Sequence, residues 1–481
     1  MEPVSEKIIS HIDDVIDRDL ERHLGRLREL VRQPSISYTG EGIAECAELV
    51  AGYFNDLGCD PVKIYETPGH PVVYGERWVG APKTLLVYFM YDVMPVKDDP
   101  WTVDPFEGLI TSEPPYPKVL MGRGATNSKG PMGAFLNAVE AIQDAGETLP
   151  VNLIFIAEGE EEMGSKSLYG FVKEHADMLK RADAVFMPMG KQERDGGTLI
   201  WPGTKGIVYL TLECDGKTLG RGPRDYNIHS SLKAIADNPA WVMIQALASM
   251  TTPDGNRALI KGFYDDVKPP SDKQKELFKA VVDEVSLDAF RNSLHVDNFI
   301  GNESKIELMN RFFFQPTLNI DGISAGYTGE GSKTILPYKA IAKIDMRIVP
   351  DMDPDDIVSK VRKHLDDHGF EGIQMQANNL NPPCDTDPDA EIIQAAVRAL
   401  RPFGVNAKVW PRNMGFIPFP IFSGPPLNLE FCVAGLGHGE RAHGPDEFFV
   451  IEGDGKVKGL REIEKSFVRV LYEYASTVKR I

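Results

Sequence analysis

The stretch VNLIFIAEGEEEMGS, residues 151–165, joins an uninterrupted apolar run to four glutamates, Glu158, Glu160, Glu161 and Glu162. A short apolar run that ends in glycine and polar residues is typical of a strand buried in a parallel sheet. Carboxylates crowded at the end of such a strand repel one another and are costly to remove from water, so they need compensating partners. A divalent cation is the first candidate for that partner.

Length and composition indicate a soluble globular protein with two domains, since 481 residues exceed one ordinary core. No apolar run approaches a membrane span and the first residues are too polar for a signal peptide, so we expect a cytoplasmic protein without a membrane partner. The net charge of −19, from 52 basic and 71 acidic residues, disfavours nucleic acid as a partner. Five dispersed cysteines without CxxC spacing predict reduced thiols.

Further apolar runs predict more strands of the same sheet. They are TLLVYFM at 84–90, DAVFMPM at 183–189 and FCVAGLG at 431–437. A helical pattern, GPMGAFLNAVEAIQDAG, lies between the first of these runs and the stretch quoted above. Buried strands that alternate with helices predict an α/β fold with a mostly parallel sheet covered by helices on both faces.

The middle of the chain has a different pattern. GIVYLTLECDG at 206–216 and YKAIAKIDMRIVP at 338–350 alternate apolar and polar residues, as half-exposed strands do. We therefore predict that an α+β domain, residues 208–385, is inserted into the first domain, which comprises residues 1–207 and 386–481.

The loops that follow the predicted strands carry the polar residues that a ligand site requires. In open α/β sheets, ligands bind beyond the carboxyl ends of the strands. The loops in question are YDVMP at 91–95, GRGATNSKGP at 122–131, EGEEEMGS at 158–165, GKQER at 190–194 and HGERAHGPDE at 438–447.

Together with RQPSIS at 32–37 and PTLNIDGISAGYTGEGSKTILP at 316–337, these loops resemble the motifs of the M20 metallopeptidase family. The resemblance is nearest to the carnosinase-type dipeptidases and extends over nearly the whole chain. It implies a catalytic domain that binds two zinc ions and a smaller lid domain through which the protein forms a homodimer. Residues 208–385 are expected to be that lid.

Most of the metal ligands that the resemblance implies are replaced. Met90 stands where the family has a histidine two residues before Asp92, and Asn127 stands where it has the bridging aspartate. The position of a further carboxylate ligand of the family corresponds to about Met189. Two cations about 3.5–4 Å apart need a negative bridge, which an amide does not supply. Thioethers are poor ligands for zinc or manganese and commonly fill cores. We predict no two-metal centre, and we expect Asn127 and Met90 to contact substrate instead.

Three family positions are retained. Glu162 and His443 match metal ligands, and Glu161 matches the general base. Catalytic zinc normally has three protein ligands, so Glu162 and His443, with Asn127 as a possible third ligand, predict either no metal or one zinc or manganese ion.

Without a metal, the acidic cluster needs other partners. His443, Lys129 and Arg123 are the candidates from the neighbouring motifs. Successive residues of an extended chain face opposite sides, which predicts different neighbours for Glu161 and Glu162. Apolar surroundings predict a raised carboxyl pKa, which suits acid–base chemistry near neutral pH.

Residues of the predicted lid match substrate contacts of the family. His229 matches the histidine that polarises the substrate carbonyl across the dimer, although Ser231 replaces the usual glycine. Thr334 and Arg347 match residues that hold the far end of the substrate, where a guanidinium group suits a carboxylate. In the C-terminal part, Phe416 replaces a serine that would bind that carboxylate, which favours apolar contact and a changed substrate.

Three functions remain open. The first is an M20-like, dipeptidase-like hydrolase that cleaves an amide (C–N) bond of a small carboxylate- or amide-bearing molecule, with Glu161 as general base and an atypical, at most mononuclear metal site. The second is a metal-independent lyase, isomerase or cyclase that uses the same acid–base residues. The third is a non-catalytic, dimeric pseudoenzyme. Retention of the base, both histidines and the arginine favours an enzyme, and the family resemblance favours hydrolysis.

Overall fold

The computed structural model describes residues 3–97, 99–190, 192–301, 303–415 and 418–477. Phe416, a predicted substrate contact, lies outside these residues. None of the helices in the described ranges combines the length and the apolar character that crossing a membrane requires.

Helices and strands are numbered here in chain order. The helices are α1 Pro3–Arg32, α2 Ile43–Asp56, α3 Gly130–Asp144, α4 Lys166–Glu174, α5 Ala176–Leu179, α6 Pro239–Ser249, α7 Asp272–Glu284, α8 Leu287–Ser293, α9 Lys305–Phe314, α10 Pro354–Asp367, α11 Glu391–Leu400, α12 Phe419–Ser423 and α13 Leu460–Ser476. The strands are β1 Val62–Tyr65, β2 Val72–Arg77, β3 Thr84–Met90, β4 Leu109–Glu113, β5 Tyr116–Met121, β6 Asn152–Glu158, β7 Ala184–Pro188, β8 Thr198–Ile200, β9 Gly203–Thr204, β10 Gly206–Asp215, β11 Ile228–His229, β12 Thr317–Ala325, β13 Ile335–Leu336, β14 Lys339–Ile348, β15 Gln374–Asn381, β16 Cys384–Asp385, β17 Ala407–Val409, β18 Glu430–Ala434, β19 Gly439–Glu440 and β20 Phe448–Glu452.

The chain divides into two compact units. The first comprises Met1–Pro202, Thr386–Trp410 and Ile421–Ile481, and the second comprises Gly203–Asp385 and Pro411–Pro420. The second unit therefore starts slightly earlier than the inserted domain predicted from the sequence, and it also contains a short segment near the C-terminus. The catalytic and lid roles assigned to the two parts of the chain stay predictions.

A six-stranded sheet forms the centre of the first unit, in the order β1-β2-β6-β3-β7-β18. The pairs β6–β3, β3–β7 and β7–β18 are parallel, and β1–β2 and β2–β6 are antiparallel. Every residue of β3 and β6 is buried, so both faces of the sheet are covered at these strands. This arrangement confirms the predicted mixed α/β fold with a mostly parallel sheet.

Long amphipathic helices pack together in the first unit. Helices α1, α3 and α13 contact one another, while α2, α3 and α11 lie against strands of the six-stranded sheet. A Cβ atom added at Gly133 of α3 would lie 2.8 Å from a methyl carbon of Leu27, so this glycine allows α1 and α3 to approach closely. Leu27, Phe135 and Phe467 are fully buried in the resulting core.

The second unit is built on an antiparallel sheet in the order β12-β14-β10-β15. Along β10, buried and partly exposed residues alternate, as the sequence pattern predicts for a half-exposed strand. Helices α6 and α10 pack against β10, and the core there includes Leu210, Met243 and Val361. Helix α10 starts where Asp353 accepts a hydrogen bond from the backbone of Asp356, which caps its N-terminus.

Candidate active site

Three parallel strands of the first unit, β3, β6 and β7, carry predicted site residues at or just beyond their carboxyl ends. Met90 ends β3 and is paired in register with Glu158, which ends β6. Met189 directly follows β7 and donates its backbone N–H to the carbonyl of Ala434 at 3.2 Å. The parallel pairing thus brings two separate sequence motifs, YDVMP and EGEEEMGS, to one edge of the sheet.

Asp92 fixes the backbone of the acidic turn. Its carboxyl group is fully buried, and its oxygens accept the backbone N–H groups of Glu161 at 3.1 Å and Glu162 at 3.0 Å. Burial raises the pKa of Asp92 to about 7, against the lowering effect of these two hydrogen bonds. Asp92, which follows β3, therefore holds in place the backbone of two glutamates that follow β6, three strands later in the chain.

The four glutamates lie in different surroundings. Glu158 is buried and accepts hydrogen bonds from Tyr88 at 2.5 Å and Ser165 at 2.8 Å, and burial raises its pKa to about 8. Glu160 is also buried. Residues Glu161–Met163 form one turn of 3₁₀ helix, so the expectation that Glu161 and Glu162 lie on an extended chain is wrong.

The carboxyl group of Glu161 carries the properties expected of a base. Its pKa lies well above the ordinary glutamate value, first because the carboxyl group is removed from water and then because Glu162 and Asp92 add negative charge nearby. No side-chain partner neutralises it within the described residues. The predicted direction of the pKa shift is confirmed, and the largest cause is burial.

Glu162, Asn127 and His443 form a hydrogen-bonded group. The amide nitrogen of Asn127 donates to Glu162 Oε1 at 2.8 Å and lies 3.0 Å from His443 Nε2. The same imidazole nitrogen lies 3.2 Å from Glu162 Oε2. The structure thus brings together three residues that the sequence assigns to one site from three separate loops.

His443 can be neutral or charged within this group. A neutral ring can accept the N–H of Asn127 at Nε2, whereas an imidazolium ring can donate from the same nitrogen to Glu162. The hydrogen bond to Glu162 raises the pKa of His443, in opposition to partial burial of the ring. His443 is therefore the predicted charge partner that the structure places against Glu162, and it can give or take a proton there.

The other two candidate partners lie elsewhere. Arg123 is buried and pairs with Glu447 at 2.9 Å, and Lys129 is buried and donates to the backbone carbonyl of Gln33 at 2.5 Å. Within the described ranges, neither side chain forms a hydrogen bond or ion pair with Glu162. The expectation that they balance the acidic cluster directly is therefore replaced by structural roles for both.

Glu447 is a site residue that the sequence reasoning missed, although its motif was recognised. Its carboxylate accepts the backbone N–H groups of Gly124 at 3.0 Å, Thr126 at 2.9 Å and Asn127 at 2.9 Å, in addition to the guanidinium of Arg123. These bonds fix the loop that presents Asn127. A glutamate at the end of the GPDE segment gives no local signal of which loop it will hold.

In the second unit, His229 and Thr334 come together through the β11–β13 pairing. The Nδ1 atom of His229 accepts the backbone N–H of Ser231 at 3.2 Å, so the neutral ring carries its proton on Nε2. That Nε2 lies 3.2 Å from the hydroxyl oxygen of Thr334. His229 is exposed, and its tautomer is the one that can donate to a carbonyl oxygen.

Arg347 lies on β14 of the second unit. Its Nε donates to Asp345 at 3.0 Å, and its side chain is about one-third exposed at 33%. Its two terminal nitrogens have no side-chain partner among the described residues. The arginine is therefore oriented by one carboxylate and keeps donors for another, which agrees with the predicted substrate contact without testing it.

Comparison with known proteins gives a consistent result. A family model for peptidase family M20/M25/M40 matches residues 86–465. The Cys-Gly metallodipeptidase DUG1 of Saccharomyces cerevisiae is 31% identical over 410 residues, which cover 80% of this chain and 79% of that protein. The structure of the M20 family metallo-carboxypeptidase Sso-CP2 from Sulfolobus solfataricus matches with a TM-score of 0.84 and 32% identity, over 95% of this chain and 99% of that one. Human carnosine dipeptidase 1 matches with a TM-score of 0.74 and 26% identity, over 98% and 100%.

The mixed α/β fold matches those of Sso-CP2 and human carnosine dipeptidase 1, and its acidic turn lies at the carboxyl ends of the strands, where open α/β folds bind ligands. The chain belongs to peptidase family M20/M25/M40. The predicted family and the predicted class of enzyme, an M20 hydrolase, are thereby confirmed.

The side chains at the site do not fit the two-cation centre that the family implies. Among the described residues, no group of three or more histidine, cysteine, aspartate or glutamate side chains could hold a metal ion. Glu162 and His443 already bond to each other and to the N–H of Asn127, and the thioether of Met90 is buried. The donor set lacks the negative bridge that two close cations require, which leaves the side chains of the protein itself as the groups available for acid–base chemistry.

Proposed function

We propose that this protein hydrolyses an amide bond of a small carboxylate-bearing molecule, with Glu161 as the general base. The observation that carries the proposal is the position of Glu161. It has a raised pKa, its backbone is fixed by Asp92, and its neighbour Glu162 is paired with His443. Membership of a peptidase family supports hydrolysis as the reaction.

In the proposed mechanism, Glu161 takes a proton from water as the water oxygen attacks the carbonyl carbon of the amide. The carbonyl oxygen gains negative charge in the tetrahedral intermediate, and the imidazolium form of His443 stabilises negative charge at the site. When the C–N bond breaks, Glu161 returns its proton to the leaving nitrogen, so the base is regenerated. The role of His229 as a donor to the carbonyl oxygen stays a prediction of the family resemblance.

The proposed substrate class is a short peptide or a related amide with a free carboxylate. The similar proteins support this class through their names, since they are described as a Cys-Gly dipeptidase, a carnosine dipeptidase and a carboxypeptidase. Arg347 supports it through its unpaired terminal nitrogens, which can bind a carboxylate in bidentate fashion. Thr334 is proposed to contact the same end of the substrate.

A second candidate function is metal-independent acid–base chemistry, as in a lyase, isomerase or cyclase. The specific observation that favours it is the hydrogen-bonded group of Glu162, Asn127 and His443, which resembles a proton-transfer site more than a ligand set. The two candidates differ in their products. Hydrolysis takes up one water and yields two fragments, whereas isomerisation, cyclisation and elimination consume no water.

The test is a panel of dipeptides and N-acyl amino acids, followed by mass spectrometry, with wild-type protein and the Glu161→Gln variant. Hydrolysis predicts two fragments, and loss of the base predicts a fall in kcat/KM of about 10²–10⁴-fold. Glu174→Gln, an exposed glutamate on α4, is the matched control and keeps wild-type activity. Full activity of Glu161→Gln would overturn the proposed role.

The role of metal is tested with the same assay. Protein purified without added metal is assayed for zinc and manganese content and for activity with and without a chelator. The proposed mechanism expects activity that a chelator does not abolish. If the activity disappears with the chelator and returns with one metal ion per chain, the predicted single-metal site is correct instead.

We also propose that the protein forms a homodimer through the second unit. Strand β12 is at the edge of its sheet, and Ile320 and Ile323 on it are 46% and 53% exposed. Exposed apolar edge strands readily pair with another chain. Light scattering after size-exclusion chromatography is expected to show a dimer that Ile323→Lys dissociates. The matched control, Ile306→Lys on α9, leaves the dimer intact, since Ile306 is exposed but lies on a helix.

A further inference from the structure

A cavity of about 330 Å³ lies wholly within the second unit. It is lined by residues of α8, α9, β12, β14 and nearby loops, and Arg347 is the one lining residue with a proposed role, that of a substrate contact. Its lining is almost entirely apolar, apart from Lys205, Arg311, Thr317 and Arg347. A mostly apolar wall with a few polar groups beside it is typical of a small-molecule site.

Three phenylalanines form the apolar wall. The ring of Phe290 lies 5.8 Å from that of Phe299 and 5.6 Å from that of Phe312, the latter in an edge-to-face arrangement. Leu294 and Ile300, which also line the cavity, are 50% and 42% exposed. Apolar side chains left open to water beside an aromatic cluster would be covered by a nonpolar ligand group.

Lys205 supplies a buried positive charge to the same cavity. Its side chain is buried, with a relative exposure of 4% for the residue, and its Nζ donates to the backbone carbonyl of Gln315 at 2.7 Å. Within the described residues it has no carboxylate partner. A buried ammonium group without a counter-ion is costly, so an anion in the cavity would stabilise it.

The other two cationic side chains that line the cavity differ in how many of their N–H donors are already hydrogen-bonded. Arg311 is fully engaged, because it binds the carboxylate of Glu303 and the backbone carbonyl of Asn256. Arg347 uses only its Nε, on Asp345, and therefore keeps terminal donors. The available positive charge of the cavity thus comes from Lys205 and Arg347.

We propose that this cavity binds a monocarboxylate that carries an aromatic or branched aliphatic group, with the apolar group against the phenylalanines and the carboxylate at Lys205 and Arg347. The volume suits this size of ligand, since a cavity of about 150 Å³ holds benzene alone. The inference rests on the proposed function in one respect, because the ligand of the cavity corresponds to the carboxylate-bearing half of the proposed substrate. That half is then expected to be apolar. Lys205 and the aromatic wall are its new elements.

Isothermal titration calorimetry with the full chain tests the proposal directly. The probes are 3-phenylpropionate, propionate, which lacks the ring, and 3-phenylpropanamide, which lacks the charge. We expect 3-phenylpropionate to bind at least about tenfold more tightly than either of the other two, since each lacks one of the two recognised groups. Equal affinity for all three probes, or no binding of 3-phenylpropionate, would overturn the proposal.

Variants show whether binding takes place in this cavity. Lys205→Met is expected to weaken 3-phenylpropionate at least about fivefold and to leave the amide unchanged, because it removes only charge. Phe299→Ala is expected to weaken both ring-bearing probes. Lys217→Met, an exposed lysine of the same unit, and Phe278→Ala, which does not line the cavity, are the matched controls. Unchanged binding by folded Lys205→Met and Phe299→Ala, with thermal unfolding as the check on folding, would place the ligand elsewhere and refute the proposal.

The result is separable from the proposed hydrolysis. Glu161→Gln is expected to bind 3-phenylpropionate as the wild type does, since Glu161 is not among the residues that line the cavity. Activity on dipeptides without probe binding refutes only the cavity proposal. Probe binding without any hydrolysis refutes only the proposed function and supports the cavity.

Discussion

The acidic turn of the first unit gathers negative charge, whereas the cavity of the second unit contains buried positive charge. The two regions differ in how these charges are compensated. At the turn, four carboxylates crowd one strand end, yet the structure compensates three of them with internal partners: Tyr88 and Ser165 for Glu158, a backbone N–H for Glu160, and Asn127 with His443 for Glu162. In the cavity, Lys205 is buried without any described carboxylate partner.

The difference shows which charged group of each region has no counter-ion among the described residues. The acidic turn leaves one carboxylate, that of Glu161, without a neutralising side chain, as a base requires. The cavity leaves cations facing an apolar wall, as a binding site for an organic anion requires. We therefore propose proton transfer as the role of the first region and recognition of an organic anion as the role of the second.

The largest effect in the acidic region is expected from substitution of Glu447, which fixes the loop that presents Asn127. Glu447→Gln is expected to lower the free energy of unfolding by about 3–5 kcal/mol, because it leaves the buried guanidinium of Arg123, among the described residues, with only the longer ion pair to Asp99 at 3.5 Å and places an amide N–H against backbone N–H groups. Urea denaturation measures this loss. Glu452→Gln, whose carboxylate is largely exposed, is the control and should change stability by less than about 0.5 kcal/mol.

A loss of less than about 1 kcal/mol in Glu447→Gln would contradict this role, since it would mean that the loop holding Asn127 does not depend on Glu447.

Restoring the replaced ligands should convert the acidic region into a metal site. In the double variant Met90→His and Asn127→Asp, the added imidazole and carboxylate supply the donors that the family pattern has at these positions. We expect zinc affinity to rise at least about 100-fold, or about 2.7 kcal/mol, measured as zinc per chain after dialysis. Asn55→Asp, an exposed position on α2, is the control.

If the wild-type protein itself retains two zinc ions per chain after the same dialysis, the conclusion that its donors do not fit a two-cation centre is wrong.

A smaller effect is expected from Asp92→Asn. One side-chain oxygen is replaced by an amide group that faces a backbone N–H of the turn, so Glu161 shifts from its position. Activity in the dipeptide assay should fall about tenfold in kcat, with KM changed less than about twofold. Asp56→Asn, at the exposed end of α2, is the control. A change in KM alone would indicate a role in substrate binding instead.

The smallest effect concerns the pH dependence of ligand binding to the cavity. Burial, reinforced by the positive charges of Arg412 and Arg347, lowers the pKa of Lys205 to about 7. The ammonium form therefore dominates below pH 7 and is lost above it. The two arginines stay charged and remain paired with Asp385 and Asp345.

Raising the pH from 6.5 to 8.5 should therefore weaken 3-phenylpropionate by about fivefold, which corresponds to about 1 kcal/mol for one partly solvated charge pair. Calorimetry at several pH values measures the change. Lys205→Met should bind with the same affinity across this range, and a persisting pH dependence in that variant would assign the effect to another group.

The sequence predicted the strands of the first unit closely because burial on both faces leaves a local trace. The apolar runs at 84–90, 183–189 and 431–437 correspond to β3 Thr84–Met90, β7 Ala184–Pro188 and β18 Glu430–Ala434. Strand β6 similarly falls within one residue of its apolar run. The antiparallel strands β1, at the edge of the sheet, and β2 beside it have no such continuous run and were not predicted.

Site residues could be proposed from the sequence where a motif names them, as for Glu161, Glu162 and His443. Their partners could not. The distribution of hydrogen bonds among Asp92, Glu447 and the loops they hold depends on contacts between residues distant in the chain. The cavity was missed for the same reason, since its wall combines α8 and α9 with a lysine far earlier in the sequence.

The sequence by itself determined the family and the sheet, and it predicts the replacement of metal-binding donors, because these follow from local hydrophobicity and from the chemistry of single side chains. Only the tertiary structure decided which charges are neutralised and which remain available. Pairing of a buried charge requires atoms within about 3 Å, and the fold alone brings residues from separate loops to that distance.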